Sequence, residues 1–215
     1  MPKTWDPFSL APDAALQRLT DGNRRFREGN PASLGRSWDP ALANIQQRPF
    51  AIVLGCSDAR TPVEIVFDQG YGDLFVVRVA GNIVAPSIVG SIEFAASQFG
   101  TRLVVVMGHS RCGAIAATLA ACAGSNPSES RNIRSITDRI MPHVDHLAKS
   151  SANLEEISPL AVRANVAASV DYLRHGSRLL EELVLAERLA VVGAVYELET
   201  GWVRFLNEPA PNPAS

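Results

Sequence analysis

Short apolar runs alternate with helical patterns along most of this chain of 215 residues. Three six-residue runs are rich in β-branched side chains and bounded by glycine or polar residues, which predicts buried strands at Phe50–Gly55, Leu74–Val79 and Arg102–Met107. A further run predicts a strand at Leu189–Glu197, which Thr200–Gly201 turns into a last strand at Trp202–Leu206. Because strands that alternate with helices form βαβ units, the pattern predicts a mainly parallel sheet.

Apolar residues at helical spacing predict the helices that cover this sheet. These stretches are Asp13–Glu28, Ser87–Phe99, the small-residue run from Gly113 to Gly124, the pattern from Ile133 to Gly176, and Leu179–Glu187. Pro142 and Pro159 are expected to break the fourth of these stretches. We therefore expect an α/β fold, with a central sheet of about four parallel strands plus a C-terminal antiparallel strand, flanked by helices. We expect one domain over residues 1–215, with an N-terminal helical arm over about 1–49 and a loose tail over about 207–215.

Composition and charge narrow the function classes. The formal net charge is −2, and three cysteines are present. A near-neutral chain has no electrostatic reason to bind nucleic acid or an anionic membrane, and an odd number of cysteines does not build a disulfide framework. The first twelve residues contain Asp6 and three prolines instead of an apolar signal sequence, and no apolar run approaches the ~20 residues that span a bilayer. We therefore expect a cytoplasmic protein with reduced thiols.

Two cysteines and a histidine follow two of the predicted strands. Cys56 follows the first strand in the motif Gly55–Arg60, whereas His109 and Cys112 follow the third strand in Gly108–Gly113. Ligands of open α/β sheets bind beyond the carboxyl ends of the strands, so these side chains converge at one edge if the two strands are neighbours. Two thiolates and one imidazole are zinc ligands, with a fourth tetrahedral position left for water. A single cysteine at a strand end is more often a small buried apolar residue, but three soft ligands at one edge favour a metal site.

Asp58 and Arg60 form the next layer of this candidate site. They stand at alternate positions, so in an extended segment their side chains share a side. Arginine can hold a carboxylate in its ionised form, and a carboxylate beside a metal-bound water would accept its hydrogen bond and help to remove its proton. Two alternatives stay open: a plain loop salt bridge, and direct ligation of zinc by Asp58, which would close the fourth position and inactivate the site. Gly113 lets the backbone turn closely after Cys112.

Other histidines and cysteines have simpler interpretations. His143, Asp145 and His146 could share a helix face, but they follow a proline in a polar stretch, which favours a solvated face over a second metal site. Cys122 lies in the alanine-rich run and is interpreted as core packing.

The motifs together resemble those of the β-class carbonic anhydrases. The resemblance covers roughly residues 13–206 and rests on five segments: Gly22–Phe26, Cys56–Arg60, Gly72–Asn82, Gly90–Phe94 and Gly108–Gly113. It implies a zinc ion held by Cys56, His109 and Cys112, one ion per subunit, with Asp58 and Arg60 as a catalytic dyad. It also implies reversible hydration of carbon dioxide to bicarbonate and a proton, by attack of zinc-bound hydroxide on CO2.

The same resemblance implies an oligomer with shared active sites. Family members form dimers or higher assemblies with active sites at the subunit interface, so we expect a homodimer or homotetramer. Gln47 matches a glutamine that hydrogen-bonds substrate across that interface, Phe75 matches an aromatic residue that lines the small apolar pocket, and Gly113 is placed with them as a substrate-binding residue. Phe94 stands where some members carry tyrosine, and Val53 where some bacterial members carry a tryptophan that helps to bind regulatory bicarbonate.

Two other functions stay open at this point. One is hydrolysis of a CO2-like molecule such as carbon disulfide or carbonyl sulfide. The other is a catalytically silent, zinc-bearing regulatory role, in which Asp58 closes the metal site.

Overall fold

One sheet organises the computed structural model, which describes residues 10–32, 40–44, 46–124, 130–150 and 153–206. The strands within these ranges are β1 Ala51–Gly55, β2 Leu74–Arg78, β3 Leu103–His109, β4 Ala190–Tyr196 and β5 Val203–Phe205. In the described residues these five strands pair in the order β2-β1-β3-β4-β5. The first four are parallel to their neighbours and β5 is antiparallel to β4, which confirms the predicted α/β sheet.

The order of the strands creates a switch point between β1 and β3. From β1 the chain crosses to β2 on one side, and it then returns past β1 to place β3 on the other side. The crevice beyond the carboxyl ends of the strands at such a point is where open α/β sheets bind ligands. β1 and β3 are neighbours, which is the condition on which the predicted convergence of the ligands depended, and Gly55 lies opposite Met107 at the carboxyl end of β1.

Helices cover both faces of this sheet. In the described parts of the chain they are α1 Pro12–Arg27, α2 Val63–Val66, α3 Pro86–Phe99, α4 Gly113–Cys122, α5 Arg131–Ser150, α6 Leu154–His175 and α7 Arg178–Leu185. The sequence pattern missed α2 and the two 3-10 turns at Pro40–Asn44 and Ala80–Asn82, because such short segments contain too few residues to show a helical period. None of the helices that the structure describes is long and apolar enough to cross a membrane.

The prediction that two prolines break the pattern between Ile133 and Gly176 is wrong. Pro142 lies inside α5 and Pro159 inside α6. A proline removes one backbone hydrogen bond from a helix, but buried residues on either side of each proline hold both helices in place. The start of α6 is set instead by Asn153, whose side chain accepts hydrogen bonds from the backbone N–H groups of Glu155 and Glu156.

The two central strands are buried on both faces of the sheet. Every residue of β1 and β3 is buried. In β1, Ile52 and Leu54 pack in one apolar cluster with α3, α4 and α6, whereas Ala51 and Val53 pack on the opposite face with α1 and α2. This is the arrangement expected of parallel strands with helices on both sides. The carboxyl ends of β1 and β3 therefore start from fixed positions.

Asn23 of α1 fastens the N-terminal helix to the far edge of the sheet. Its Nδ2 donates to the carbonyl oxygens of Val66 and Gly201 at 3.1 and 2.9 Å, and its Oδ1 accepts from the N–H of Val203 at 2.9 Å. The contact at Val203 satisfies a backbone donor of the edge strand β5. Residues 1–9 of the expected arm and the expected tail over 207–215 lie outside the described residues.

We expect Gly22→Ala to lower the free energy of unfolding by about 1–3 kcal/mol, because overpacking a closed contact has this cost. A Cβ at Gly22 would lie 1.9 Å from the carbonyl oxygen of Phe67, which belongs to the backbone. Urea denaturation followed by circular dichroism measures the change. The matched control is Gly90→Ala in α3, where a Cβ would meet no described atom within 4 Å; it should be neutral or stabilise by about 0.4–1 kcal/mol. Equal destabilisation by both substitutions would contradict the packing argument.

Candidate metal centre

The three soft ligands predicted from the sequence lie together at the switch point. Cys56 directly follows β1, His109 is the last residue of β3, and Cys112 immediately precedes α4. Their ligand atoms all lie within 4.8 Å of one another. The side chains are almost fully buried, since the exposed fractions of Cys56, His109 and Cys112 are 5, 1 and 2%. The expected convergence at one sheet edge is confirmed.

The imidazole of His109 is prepared for metal ligation. Its Nδ1 lies 2.9 Å from the carbonyl oxygen of Ser110. A carbonyl oxygen only accepts, so Nδ1 donates to it, and in the neutral ring the lone pair is then on Nε2. Nε2 is buried without a hydrogen-bond partner in the described part of the chain. A buried polar atom without a partner is costly, and a cation between the ring and the two sulfurs would satisfy it. The donor set therefore fits a metal ion with three protein ligands and an open position.

The pKa values of the two thiols are shifted in opposite directions. Hydrogen bonding to Cys112, assisted by the backbone N–H of Gly81 at 3.3 Å, lowers the pKa of the Cys56 thiol. The hydrogen bond to the Cys56 sulfur, together with burial, raises the pKa of Cys112. Metal binding replaces protons on thiols, so a cation at this position would stabilise both sulfurs as thiolates.

Asp58 is held beside this group by Arg60. The guanidinium makes two parallel contacts, from Nε to Oδ1 at 2.9 Å and from Nη2 to Oδ2 at 2.8 Å, and the Arg60 backbone N–H adds a third at 2.9 Å. These hydrogen bonds hold the pKa of the Asp58 carboxyl well below its usual range. Asp58 Oδ2 also lies 3.9 Å from Nε2 of His109. The carboxylate is thus ionised and lies next to the group of candidate metal ligands.

Arg78 is a site residue that the sequence analysis did not single out. It ends β2 opposite Gly55 and donates from Nε to the carbonyl oxygen of Cys56 at 2.9 Å and from Nη2 to that of Asp58 at 2.6 Å. The guanidinium thereby fixes the turn that carries both functional side chains. A cation at the carboxyl end of a strand next to the first motif is the signal that could have indicated this role.

Three residues that the resemblance associates with substrate occupy different positions. Gly113 is the first residue of α4, directly after Cys112, and a Cβ there would meet no described atom within 4 Å. Gln47 is exposed and precedes β1, and Phe75 stands opposite Ile52 near the start of β2. Cys56 lies four positions after Ile52, or about 13 Å at ~3.3 Å per residue. Gln47 and Phe75 therefore lie toward the opposite end of the sheet from the metal ligands of their own chain.

The other residues considered as metal ligands lie apart from this group. Asp145 pairs with Lys149 at 2.5 Å, and both His143 and His146 are exposed. Among the residues that the structure describes, Cys56, His109 and Cys112 are the one group of His, Cys, Asp or Glu side chains spaced for a metal ion. Cys122 packs half-buried against the core at the end of α4.

Comparisons with known sequences point to one family. A family model described as carbonic anhydrase matches residues 51–203. Carbonic anhydrase 2 of Mycobacterium tuberculosis is 38% identical over 192 residues, which cover 88% of this chain and 90% of that protein. A carbonic anhydrase of Mycolicibacterium smegmatis is also 38% identical, over 194 residues that cover 89% of this chain and 92% of the relative.

Solved structures share the fold. A β-carbonic anhydrase of Coccomyxa, in complex with acetazolamide, superposes with a TM-score of 0.69 at 25% identity, covering 90% of this chain and 87% of its own. One of two tetrameric β-carbonic anhydrases of Sordaria macrospora gives a TM-score of 0.69 at 25% identity, covering 79% of this chain and 85% of its own. The sheet thus has the α/β fold of these enzymes, with a Cys-His-Cys group placed to bind a metal. The chain belongs to the β-carbonic anhydrase family, whose activity is the hydration of CO2.

We expect Cys56→Ser to abolish stoichiometric metal binding, because a hydroxyl is a much poorer ligand than a thiolate for a soft site. Metal analysis of the protein after dialysis against a weak chelator measures the content per chain. Cys122→Ser is the matched control, since Cys122 stands outside the metal group, and it should keep the wild-type content. Full metal content in Cys56→Ser would refute the assignment of this ligand.

Proposed function

We propose that this chain catalyses the zinc-dependent, reversible hydration of carbon dioxide to bicarbonate and a proton. The buried Cys-His-Cys group with a free imidazole Nε2 carries the proposal. Sulfur and imidazole donors favour zinc over the hard cations magnesium and calcium. Cys56, His109 and Cys112 would hold one ion per subunit. When bound, zinc supplies Lewis acidity that lowers the pKa of a water molecule at the fourth position toward ~7.

Asp58 orients the reacting water in this proposal. Its carboxylate is ionised and lies 3.9 Å from Nε2 of His109, one of the three ligand atoms. The carboxylate can therefore accept the hydrogen bond of the water and direct an oxygen lone pair of that water at CO2. Arg60 occupies both carboxylate oxygens. This pairing supports the open site, because it holds Asp58 as an acceptor and away from ligation of the metal.

The active site of one chain is completed by a second chain. Phe75 lies about 13 Å from Cys56 along the strands of its own chain, and Gln47 precedes the start of β1. These two residues can therefore contact substrate only in the site of a partner copy. An aromatic cluster beside β2 supports such a contact: Phe94 is 52% exposed, and its ring lies 5.6 Å from that of Phe99, which also contacts Phe75 at 6.1 Å. The protein is accordingly a homodimer or a homotetramer. The Sordaria macrospora relative is tetrameric.

A cytoplasmic location is the third part of the proposal. The thiols of Cys56, Cys112 and Cys122 are free. Thiolate ligands persist in a reducing compartment, whereas an oxidising one favours disulfides.

Asp58→Asn should lower kcat for CO2 hydration by about 10²–10⁴-fold, the usual contribution of a positioned acid–base group, while metal content stays at the wild-type level. Stopped-flow measurement of CO2 hydration at neutral and alkaline pH, with metal analysis of the same samples, gives both values. Asp145→Asn is the control, because Asp145 is a surface partner of Lys149. A normal rate in Asp58→Asn would contradict the role of Asp58 in orienting the water. A wild-type enzyme that is faster on carbon disulfide or carbonyl sulfide than on CO2 would contradict the assignment of CO2 as substrate.

A mixture of Gln47→Ala and Cys56→Ser chains should recover activity that neither variant has alone. In a mixed dimer, the metal site of the Gln47→Ala chain receives an intact Gln47 from its partner. Co-expression with two different tags, followed by tandem purification and stopped-flow assay, measures this recovery. Gln46→Ala, at the exposed neighbouring position, should be fully active on its own. A mixed dimer as inactive as the parent variants would show that Gln47 does not act across the interface.

A further inference from the structure

The loop between the last two metal ligands adopts a conformation that needs external support. Ser110 and Arg111 connect His109 to Cys112, and Arg111 has a φ of 54°. This left-handed conformation is unfavourable for a residue with a Cβ. Because Arg111 directly precedes Cys112, its backbone angles determine whether the thiolate and the imidazole can reach the same ion.

Glu199 contacts this loop from a distant part of the chain. It lies between β4 and β5, and its two carboxylate oxygens contact consecutive residues of the loop. Oε2 accepts from the Ser110 hydroxyl at 3.0 Å, and Oε1 lies 2.7 Å from Nε of Arg111. The Ser110 hydroxyl in turn accepts from the backbone N–H of Leu198 at 2.9 Å. One carboxylate thus bridges both residues that separate the metal ligands.

Further hydrogen bonds connect this loop to the metal ligand His109 and to Arg60, the partner of Asp58. The carbonyl oxygen of Ser110 accepts from Nδ1 of His109. The backbone N–H of Ser110 donates to the carbonyl oxygen of Tyr196 at 2.9 Å. The carbonyl oxygen of Arg111 accepts from Nη2 of Arg60 at 3.3 Å. Since the proton on Nδ1 selects the ring nitrogen that binds the metal, movement of Ser110 would alter ligation by His109.

We propose that Glu199 is a positioning residue that holds the loop from His109 to Cys112 in the conformation that binds metal. The hydrogen bond to Ser110 is the operative contact. The ion pair with Arg111 contributes less, because the Arg111 side chain is 73% exposed and solvent weakens such pairs. This inference rests on the metal site proposed above.

The rate of zinc transfer to a chelator tests the proposal without any assay of activity. The zinc-loaded chain of residues 1–215 is mixed with a chromogenic chelator, and the release is followed by absorbance. Glu199→Ala should release zinc about 10–100-fold faster than the wild type, as expected when a residue that supports a metal ligand is lost. Glu199→Gln should release zinc close to the wild-type rate, since its amide oxygen still accepts from Ser110. Ser110→Ala should match Glu199→Ala, and the double variant should add little.

Glu197→Ala separates metal positioning from general support of the fold. Glu197 belongs to the same corner of the chain but contacts Arg204 and Thr200 instead of the metal loop, so its loss should leave zinc release unchanged. The metal-free forms of Glu197→Ala and Glu199→Ala should melt at similar temperatures. With cobalt in place of zinc, Glu199→Ala should also change the visible absorption bands, which report ligand geometry.

The outcomes distinguish this inference from the metal assignment itself. Zinc release at the wild-type rate in Glu199→Ala, with zinc bound in both proteins, overturns the role of Glu199 alone. A metal-free Glu199→Ala that melts well below Glu197→Ala, with unchanged cobalt bands, also overturns it, because the residue then supports only the fold. A wild-type chain that takes up no zinc overturns the metal assignment and the inference together.

Discussion

The parallel pairing of β1 with β3 is the constraint on which the rest of the site depends. It brings Cys56 next to His109 although 53 positions separate them in the chain. Parallel strands end at the same edge of a sheet, and helices bury both faces of this one, so the carboxyl ends have little freedom to separate. Cys112 follows because the chain must turn from β3 into α4 at that edge. A metal ion placed there meets ligands whose positions are already determined by the core.

Backbone hydrogen bonds convert that proximity into a defined geometry. Arg78 holds the carbonyl groups of the first motif, and Arg60 holds the carboxylate of Asp58. The second motif is held through Ser110, which contacts both His109 and Glu199. Each ligand-bearing loop thus has its own side-chain support, and the two supports meet where Arg60 reaches the carbonyl oxygen of Arg111. A site assembled in this way has little reorganisation to undergo when substrate arrives.

Local sequence patterns predicted most of the elements and the ligand set. Apolar runs and helical periods identified the five strands and the long helices, because burial on both faces leaves a continuous apolar signal. The pattern failed where its signal is short or indirect: α2 has four residues, and prolines were expected to break helices that packing and the Asn153 cap maintain. Arg78 was missed because its one sequence signal, a cation at the carboxyl end of a strand, does not show which carbonyl groups the side chain reaches.

The sequence by itself determined the chemistry available to this protein: two thiols, one imidazole, and a carboxylate two residues from an arginine, all at the ends of predicted strands. The tertiary structure decided which of these groups share a site. It also placed Gln47 and Phe75 away from the metal ligands of their own chain and Glu199 against Ser110, 89 positions distant. The physical reason is that residue type and periodicity are local properties, whereas strand order and side-chain hydrogen bonds depend on how the whole chain packs.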